Sequence, residues 1–321
     1  MSNSPPPIGD PAPAARPPAA LPAGGPAALP AGGPAGLPAG GPPGLPASLP
    51  PGLPASLPAD LPADLPASLP TGLPAGLPAV SVIMPAYRAA ATLASSVASV
   101  QAQTFGDWEL ILVDDASPDD TGALAAALAS GDARIRLLTL AQNGGAARAR
   151  NAAIAQARGR HIAFLDADDL WLPDKLARQL AFMAQTGAAL SYTGFWVEKA
   201  GVRRAVRIPA AVTRAQLLRG NVIGCLTAMY DAGALGRVMM PDLRMNEDYG
   251  LWLRILARVP AAQGLQENLA VHRRQSGSLT DGTLRRLRAT WRLYREVEQL
   301  PRLTALRCLA AHVMNRLRSR A

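Results

Sequence analysis

Proline recurs so densely through the first quarter of the chain that regular secondary structure is excluded there. Residues 1–79 are built almost wholly from Pro, Ala, Gly, Leu and Ser, and a short Leu-Pro-Ala or Leu-Pro-Thr unit repeats from about Leu21 to Leu77. Because proline donates no backbone hydrogen bond and glycine loses much entropy on ordering, such a segment cannot stack helices or strands. We predict a disordered or polyproline-like tail over 1–79, which leaves about 240 of the 321 residues to fold.

From Val80 onward, short apolar runs alternate with alanine-rich segments of helix length. This alternation is typical of an α/β fold in which parallel strands are covered by helices, and we predict a Rossmann-like mixed sheet flanked by helices. We predict strands at 80–84, 109–113, 134–138 and 161–165, and helices at 91–103, 121–129 and 145–157. Further strands are expected at 188–192 and 225–230, with a helix starting near Asn246. Such sheets bind ligands at the carboxyl ends of their strands.

The positive charge of the chain is concentrated at its C-terminal end. The formal net charge is +9, and after Leu284 ten arginines face only Glu296 and Glu298. Two amphipathic helices separated by Pro301 are predicted over 284–321, so the foldable region divides into 80–283 and 284–321. A basic end suits a nucleic acid, an anionic membrane surface or a phosphate-bearing substrate. Nucleic acid is disfavoured because no aromatic-basic platform accompanies the charge.

Cysteine usage and hydropathy bear on the compartment. Cys225 and Cys308 are the only cysteines and form no zinc-binding spacing, which predicts two reduced thiols in a cytoplasmic protein. No run of about 18 apolar residues could span a bilayer, and the N-terminus lacks the pattern of a secretory signal. Peripheral attachment to the inner membrane face remains open, because arginines and apolar residues interleave over 284–295 as in an interfacial helix. An amphipathic helix packed on the catalytic domain explains that pattern equally well.

Two acidic clusters close predicted strands. Asp114 and Asp115 follow the strand at 109–113, where carboxylates can accept hydrogen bonds from a nucleoside, although capping of the next helix is an alternative. Asp166, Asp168 and Asp169 follow the strand at 161–165. In extended backbone Asp166 and Asp168 would point the same way, and three close carboxylates need a positive charge among them. Mg²⁺ or Mn²⁺ held together with substrate phosphates would supply it, and a solvated acidic loop is the alternative.

Two further segments carry potential chemistry. Asn143-Gly144-Gly145 precedes a predicted helix that bears Arg148 and Arg150, an arrangement that lets backbone and arginine approach a diphosphate. It matches neither a dinucleotide-binding fingerprint nor a P-loop. Glu247 and Asp248 open the helix near Asn246, where acids complement the helix dipole. A carboxylate there could also remove a proton from an acceptor hydroxyl.

In order and spacing, these motifs make residues 80–280 similar to glycosyltransferase family 2, the GT-A fold enzymes of bacterial polysaccharide synthesis. The resemblance includes 80–87, the Asp114-Asp115-x-Ser-x-Asp motif, 143–151, 164–173 and Glu247-Asp248. It implies an inverting transfer of a sugar from a nucleotide-diphosphate donor to a glycan or lipid-linked acceptor in cell-envelope synthesis. It also implies a divalent cation, Mg²⁺ or Mn²⁺.

Site roles carried over from the family are expectations for individual positions. Asp248, rather than Glu247, is expected to be the catalytic base. The segment 271–278 resembles a loop that closes over the donor, in which His272 would contact metal or diphosphate. Arg88 stands where the family usually carries Asn, so the role of that position is open. The remaining expected ligands are Pro85, Tyr87, Asp114 and Asp115 for the nucleoside, Arg148 or Arg150 for the diphosphate, and Asp166, Asp168 and Asp169 for the metal.

Two other classes of protein remain as alternatives. Sugar nucleotidyltransferases also use α/β sheets and Mg²⁺, but they carry a glycine-rich basic loop after the first strand, and Pro85-Ala86-Tyr87-Arg88 is not that loop. A non-catalytic scaffold that uses its proline-rich tail is the second alternative. The intact acids at Asp166, Asp168 and Asp248 favour an enzyme.

Overall fold

The computed structural model of this chain describes residues 76–274 and 283–318. The predicted tail over 1–79 therefore lies almost entirely outside the described residues, as does the second half of the segment 271–278. Within the described residues, ten strands form one sheet in the order β3-β2-β1-β4-β9-β6-β10-β5, with β7 paired to β6 and β8 paired to β10. The strands are β1 Val80–Ala86, β2 Trp108–Asp114, β3 Ile135–Thr139, β4 His161–Phe164, β5 Leu170–Trp171, β6 Leu190–Lys199, β7 Val202–Val206, β8 Ala211–Val212, β9 Met229–Asp231 and β10 Ala262–Arg273.

Helices connect these strands and follow them at the C-terminal end. They are α1 Leu93–Gln101, α2 Thr121–Gly131, α3 Ala146–Gln156, α4 Lys175–Thr186, α5 Arg214–Leu217, α6 Ala232–Leu235, α7 Glu247–Leu256, α8 Thr283–Arg292 and α9 Arg302–Arg318. The last turn of α8 continues as a π-helix over Leu293–Val297. No helix in the described ranges has both the length and the hydropathy needed to cross a bilayer.

The first half of the sheet is parallel, as the sequence predicts. β1 pairs in parallel with β2 and β4, and β2 with β3. Strands β1 and β2 consist largely of branched and other apolar residues that are buried on both faces, which is typical of a sheet covered by helices on each side. Their alternating side chains separate into two clusters. Val82 and Leu110 pack with α1, α2 and α4, whereas Ile83 and Ile111 pack with α3 and α7.

The second half of the sheet is mixed, as predicted for the sheet as a whole, but its individual strands differ from the prediction, which did not include the short β5, β7 and β8. The expected strand at 188–192 is the start of the longer β6. The expected strand at 225–230 divides into a 3₁₀ turn, Cys225–Thr227, and the short β9. The twelve-residue β10 was not predicted, because its polar residues interrupt the apolar alternation that marks a strand. It pairs in parallel with β6 and antiparallel with β5 and β8.

One buried lysine stands out in this core. Lys175, at the start of α4, has no exposed surface, and its Nζ donates a hydrogen bond of 2.7 Å to Oε1 of Gln179. The same ammonium lies 4.2 Å from the ring centroid of Trp171. Burial lowers the pKa of Lys175 to about 7, from 10.5 for an exposed lysine. The unfolded chain therefore binds more protons than the folded chain between these two pH values.

We predict that Lys175→Met removes a pH-dependent part of the stability. Because the folded pKa lies below the unfolded one, wild-type stability should rise with pH from about 7 toward 10, and the variant should lose that rise. Each tenfold change in proton affinity is worth about 1.4 kcal/mol. Urea unfolding at pH 7 and pH 9.5 measures the effect, with the exposed Lys199→Met as a control that should keep the wild-type slope. A pH-independent difference between wild type and Lys175→Met would contradict this prediction.

Candidate active site

The candidate site lies where β1, β2 and β4 end side by side. Register pairs Ala86 at the end of β1 with Asp114 at the end of β2, and β4 pairs along the other edge of β1. Tyr87, Asp115 and the acidic turn after β4 are therefore brought to one edge of the sheet. This is the edge at which open α/β sheets bind ligands.

Asp115 organises the glycine loop that precedes α3. The backbone N–H groups of Gly144 and Gly145 donate hydrogen bonds of 2.8 Å to its two carboxylate oxygens, and Nδ2 of Asn143 donates to its backbone carbonyl. Gly145 has a φ of 82°, a conformation that favours glycine. Asp114 is buried beside it and accepts from the N–H of Ser117 at 3.1 Å. The expected nucleoside contacts of both acids stay predictions, and in this structure Asp115 holds the loop in place.

Arg150 is the central cation of the site. Its side chain projects from α3 and is 5% exposed, yet it contacts two carboxylates from distant parts of the chain. Nη2 donates to Oδ1 of Asp166 at 2.5 Å, and Nη1 donates to Oε1 of Glu247 at 2.8 Å. Burial by itself would lower the pKa of Arg150, but the charges of Asp166 and Glu247 raise it above its usual value. Arg150 thus joins the end of β4 to the start of α7.

The two arginines expected at the diphosphate are in different environments. Arg150 is committed to two carboxylates, so its expected role on the diphosphate does not agree with its contacts. Arg148, two residues earlier in α3, is exposed and pairs only loosely with the exposed Asp242, at 3.2 Å. Arg148 is therefore the residue of the two that remains available to a ligand.

The acidic segment after β4 is a turn, not the extended backbone expected from the sequence. The N–H of Asp169 donates to the carbonyl of Asp166 at 3.1 Å, which closes the turn, and the side chains of Asp166 and Asp169 contact different partners. Asp166 contacts Arg150. Asp169 is buried, accepts from the N–H of Arg273 at 2.9 Å and lies 3.0 Å from Nδ1 of His272. The prediction failed because alternation of side chains holds only within a strand, and β4 ends at Phe164.

The positive charge expected among the three acids comes partly from the protein itself. Burial raises the pKa of Asp169 and the hydrogen bond from His272 lowers it, and the net result is a pKa raised to about 6. That same hydrogen bond raises the pKa of His272. Burial, and next the charge of Asp166, raise the pKa of Asp168. The surroundings of Asp168 therefore disfavour its ionised form, and a bound cation would stabilise that form.

The oxygen ligands at this turn suit a cation that also binds phosphate. Across residues 76–274 and 283–318, no three carboxylate, imidazole or thiol groups converge as they do in a metal site made by protein alone. Mg²⁺ commonly takes only one or two carboxylates and completes its shell with substrate phosphates and water. The hard oxygens of Asp166 and Asp168 fit that arrangement, and Asp169 serves to hold His272 and Arg273 beside them.

Glu247 and Asp248 open α7 on the other side of Arg150. The helix begins after Asn246, which has a left-handed φ of 65°. Burial and next the neighbouring Glu247 raise the pKa of Asp248 to about 7, while Arg150 acts in the opposite direction. A carboxylate with a pKa near neutrality is suited to accept a proton at physiological pH.

Three residues without an expected role fix the elements around the site. Asn151 forms paired hydrogen bonds with the backbone of Met240, at 3.0 and 2.8 Å, and so anchors the chain that leads into α7. Nearby, a Cβ at Gly250 would lie 2.4 Å from Pro241 Cγ, so this contact requires glycine. Arg273 donates from its two Nη atoms to the hydroxyls of two serines of α1. The partners of Asn151 and Arg273 are distant in sequence, so no local sequence pattern predicts these contacts.

Pro85 lies next to the last residue of β1, and Tyr87 and Arg88 directly follow the strand. Pro85 is partly buried within the strand and Tyr87 is exposed at the sheet edge. The guanidinium carbon of Arg88 lies 5.5 Å from the ring centroid of Tyr87. Arg88 has a φ of 51°, in the left-handed region, and its N–H donates to the hydroxyl of Ser117 at 3.3 Å. Asparagine tolerates this conformation better than arginine, which gives a physical reason for Asn at the equivalent family position.

Sequence comparison agrees with this geometry. The family described as Glycosyl transferase family 2 matches residues 81–231. The chain is 37% identical over 244 residues to TuaG of Bacillus subtilis, a glycosyltransferase named for teichuronic acid biosynthesis, with 75% of this chain and 97% of TuaG covered. It is 40% identical over 178 residues to WfgD of Escherichia coli, named UDP-Glc:alpha-D-GlcNAc-diphosphoundecaprenol beta-1,3-glucosyltransferase, with 55% of this chain and 69% of WfgD covered.

Solved structures share the fold at low identity. S. aureus TarS in complex with UDP-GlcNAc aligns with a TM-score of 0.59 at 20% identity, covering 73% of this chain and 71% of that one. The mannosyltransferase PcManGT of Pyrobaculum calidifontis, in complex with GDP-Man and Mn²⁺, aligns with a TM-score of 0.55 at 19% identity, covering 73% and 69%.

A mixed sheet of this order, shared with TarS, is the GT-A fold, and the matches to the family and to TuaG make the chain a glycosyltransferase. Within that class the chain belongs to glycosyl transferase family 2. Both the fold and the enzyme class predicted from the sequence are confirmed. The alternatives of a nucleotidyltransferase and a non-catalytic scaffold are not supported.

We predict that Arg88→Asn stabilises the fold by about 1 kcal/mol, because a left-handed conformation costs an ordinary side chain roughly 1–2 kcal/mol and asparagine less. Chemical denaturation of the wild type and the variant measures this difference. Arg244→Asn is a matched control, since Arg244 is exposed and is not among the residues with positive φ. Equal shifts for both variants would argue against backbone strain at Arg88.

Proposed function

We propose that this enzyme moves a sugar from a nucleotide-diphosphate donor to a polysaccharide or lipid-linked acceptor in cell-envelope glycan synthesis, with inversion at the anomeric carbon. The observation that carries the proposal is the bridge made by Arg150. It joins Asp166, on the donor edge of the sheet, to Glu247, directly beside Asp248. The proposed sugar-donor site and the proposed proton acceptor therefore both lie next to the buried guanidinium of Arg150.

The donor would lie along the ends of β1 and β2. Its nucleoside would meet Pro85 and Tyr87 together with Asp114 and Asp115, and its diphosphate would meet the exposed guanidinium of Arg148. The complexes of the structural relatives with UDP-GlcNAc and GDP-Man support a nucleotide-diphosphate donor.

The diphosphate would be held with Mg²⁺ or Mn²⁺ by Asp166 and Asp168. The cation, when bound, offsets negative charge on the departing diphosphate. Asp169 binds His272 and the backbone of Arg273 and so positions these two residues next to Asp166 and Asp168. The Mn²⁺ in the PcManGT complex supports a divalent cation here.

Asp248 would act as the general base. Its carboxylate takes the proton of the acceptor hydroxyl while that oxygen bonds to the anomeric carbon, and the bond from that carbon to the diphosphate oxygen breaks. The nucleoside diphosphate leaves on the opposite face. Glu247 is occupied by Arg150, so its part is to orient the start of α7 and to raise the pKa of Asp248.

The names of the relatives support an acceptor in the cell envelope. TuaG is named for teichuronic acid biosynthesis, and WfgD for transfer to a diphosphoundecaprenol-linked sugar. We propose that this enzyme reaches such an acceptor from the cytoplasmic side, with peripheral membrane contact through residues 284–321.

We predict that Asp248→Asn lowers the transfer rate by at least about a hundredfold, in line with the usual contribution of a general base. The wild-type rate should rise with pH through about 7, because only the deprotonated carboxylate accepts a proton. Product formation from UDP- and GDP-sugars with Mn²⁺ over pH 5.5 to 8.5 measures both effects.

Asp120→Asn is the matched control for this experiment. Asp120 is exposed at the start of α2, where its side chain makes no capping hydrogen bond, so the variant should keep the wild-type rate. Full activity of Asp248→Asn would remove Asp248 from the mechanism. Absence of transfer from every nucleotide sugar tested would contradict the proposed function as a whole.

A further inference from the structure

Helix α9 has an inner face that is packed against the catalytic core. Ala305 is fully buried, and Cys308 and Leu309 pack against the same cluster. The ring of His312 lies 6.4 Å from the ring of Tyr249, the residue after Asp248 in α7. Positions 305, 308, 309 and 312 share one side of a helix, so this side is accounted for by the fold.

The opposite side of α9 is apolar, and no other described part of the chain covers it. Leu303, Leu306 and Met314 are 60%, 53% and 52% exposed, and Ala310 is exposed between them. These positions recur at helical spacing, so they form one continuous row, which we call the outer stripe. Large apolar side chains grouped on a surface mark an interaction site more often than single exposed ones do.

The charge around the outer stripe indicates what covers it. Arg302 and Arg307 are exposed on the same helix, and the sequence continues with Arg316, Arg318 and Arg320. No acidic residue occurs from Arg302 to Ala321. A second copy of the helix would bring like charges together, whereas an anionic lipid surface attracts them and accepts the apolar row.

We infer that the outer stripe of α9 seats the enzyme on a membrane surface that carries anionic headgroups. The inference rests on the proposed lipid-linked acceptor and specifies how the enzyme approaches it. It also revises the sequence-based expectation, which placed the membrane face on 284–295. There Tyr294 is fully buried and Trp291 is partly buried, although Leu284 is exposed.

The packing of α9 gives this surface a fixed relation to the proposed base. Tyr249 follows Asp248 and contacts His312 of α9, and its hydroxyl lies 2.9 Å from that of Tyr294. Each hydroxyl also lies within hydrogen-bond distance of a backbone carbonyl, 2.7 Å from that of Leu217 for Tyr249 and 2.6 Å from that of Leu218 for Tyr294. A membrane bound by the outer stripe is therefore held at a constant distance from the start of α7.

Co-sedimentation of the full-length enzyme with vesicles tests the inference. Vesicles of phosphatidylcholine alone are compared with vesicles that contain phosphatidylcholine and phosphatidylglycerol in equal amounts. We expect binding to the anionic vesicles, and at least a tenfold loss of binding for Leu306→Asp and for Leu303→Asp. Thr304→Asp is the matched control, because Thr304 is exposed on the same helix outside the outer stripe and the change adds the same charge. It should lose little binding.

Three outcomes would overturn the inference. Failure of the wild type to bind anionic vesicles, or equal losses for Leu306→Asp and Thr304→Asp, would do so. Dimerisation of the wild type in solution that Leu306→Asp abolishes, with no vesicle binding, would assign the outer stripe to a second copy. Transfer to a water-soluble acceptor is measured in parallel and should be unchanged in Leu306→Asp. If the wild type binds anionic vesicles but transfers no sugar, the proposed function is contradicted, whereas the assignment of the outer stripe to membrane binding is supported.

Discussion

A buried guanidinium between two carboxylates connects the parts of this site. Arg150 binds Asp166 at the end of β4 and Glu247 at the start of α7, elements that are 81 positions apart in sequence and meet only in the folded chain. Removing one member of a buried charge group leaves the others unpaired, at a typical cost of about 3–5 kcal/mol. The bridge is therefore best understood as a device that fixes position. It sets where the proposed base stands relative to the edge of the sheet at which the donor would bind.

Other contacts support the same position from both sides. Asn151 is adjacent to Arg150 and holds the backbone of Met240, just before α7. Gly250 lets Pro241 approach the same helix closely. On the far side of α7, the hydroxyls of Tyr249 and Tyr294 lie 2.9 Å apart inside the core. The C-terminal helices thus contribute to the setting of the site, although the sequence suggests a separate basic segment.

The sequence predicted the parts of the fold that local patterns determine. Strands β1 to β4 are apolar runs between alanine-rich helices, so their positions and their parallel order followed from periodicity. The acids at the ends of β2 and β4 could also be recognised, because strand ends in such sheets gather polar ligand-binding groups. Strand β10 was missed, since its pairing with β6 and β5 compensates for a weak local signal. The sequence predicts extended backbone from Asp166 to Asp169, and this is wrong because a hydrogen bond from the N–H of Asp169 to the carbonyl of Asp166 turns the chain.

The role of Arg150 could not be read from its neighbours in sequence. An arginine after a glycine pair suggests a phosphate ligand, and only the tertiary structure brings Asp166 and Glu247 to it. The most direct test is a double-mutant cycle on the transfer rate with Arg150→Gln, Glu247→Gln and the double variant. If Arg150 and Glu247 act as one unit, the double variant should be no slower than Arg150→Gln alone, which corresponds to a coupling of about 0.5–3 kcal/mol. Losses that simply multiply would show that the two residues act independently and would contradict the bridge as the organising contact.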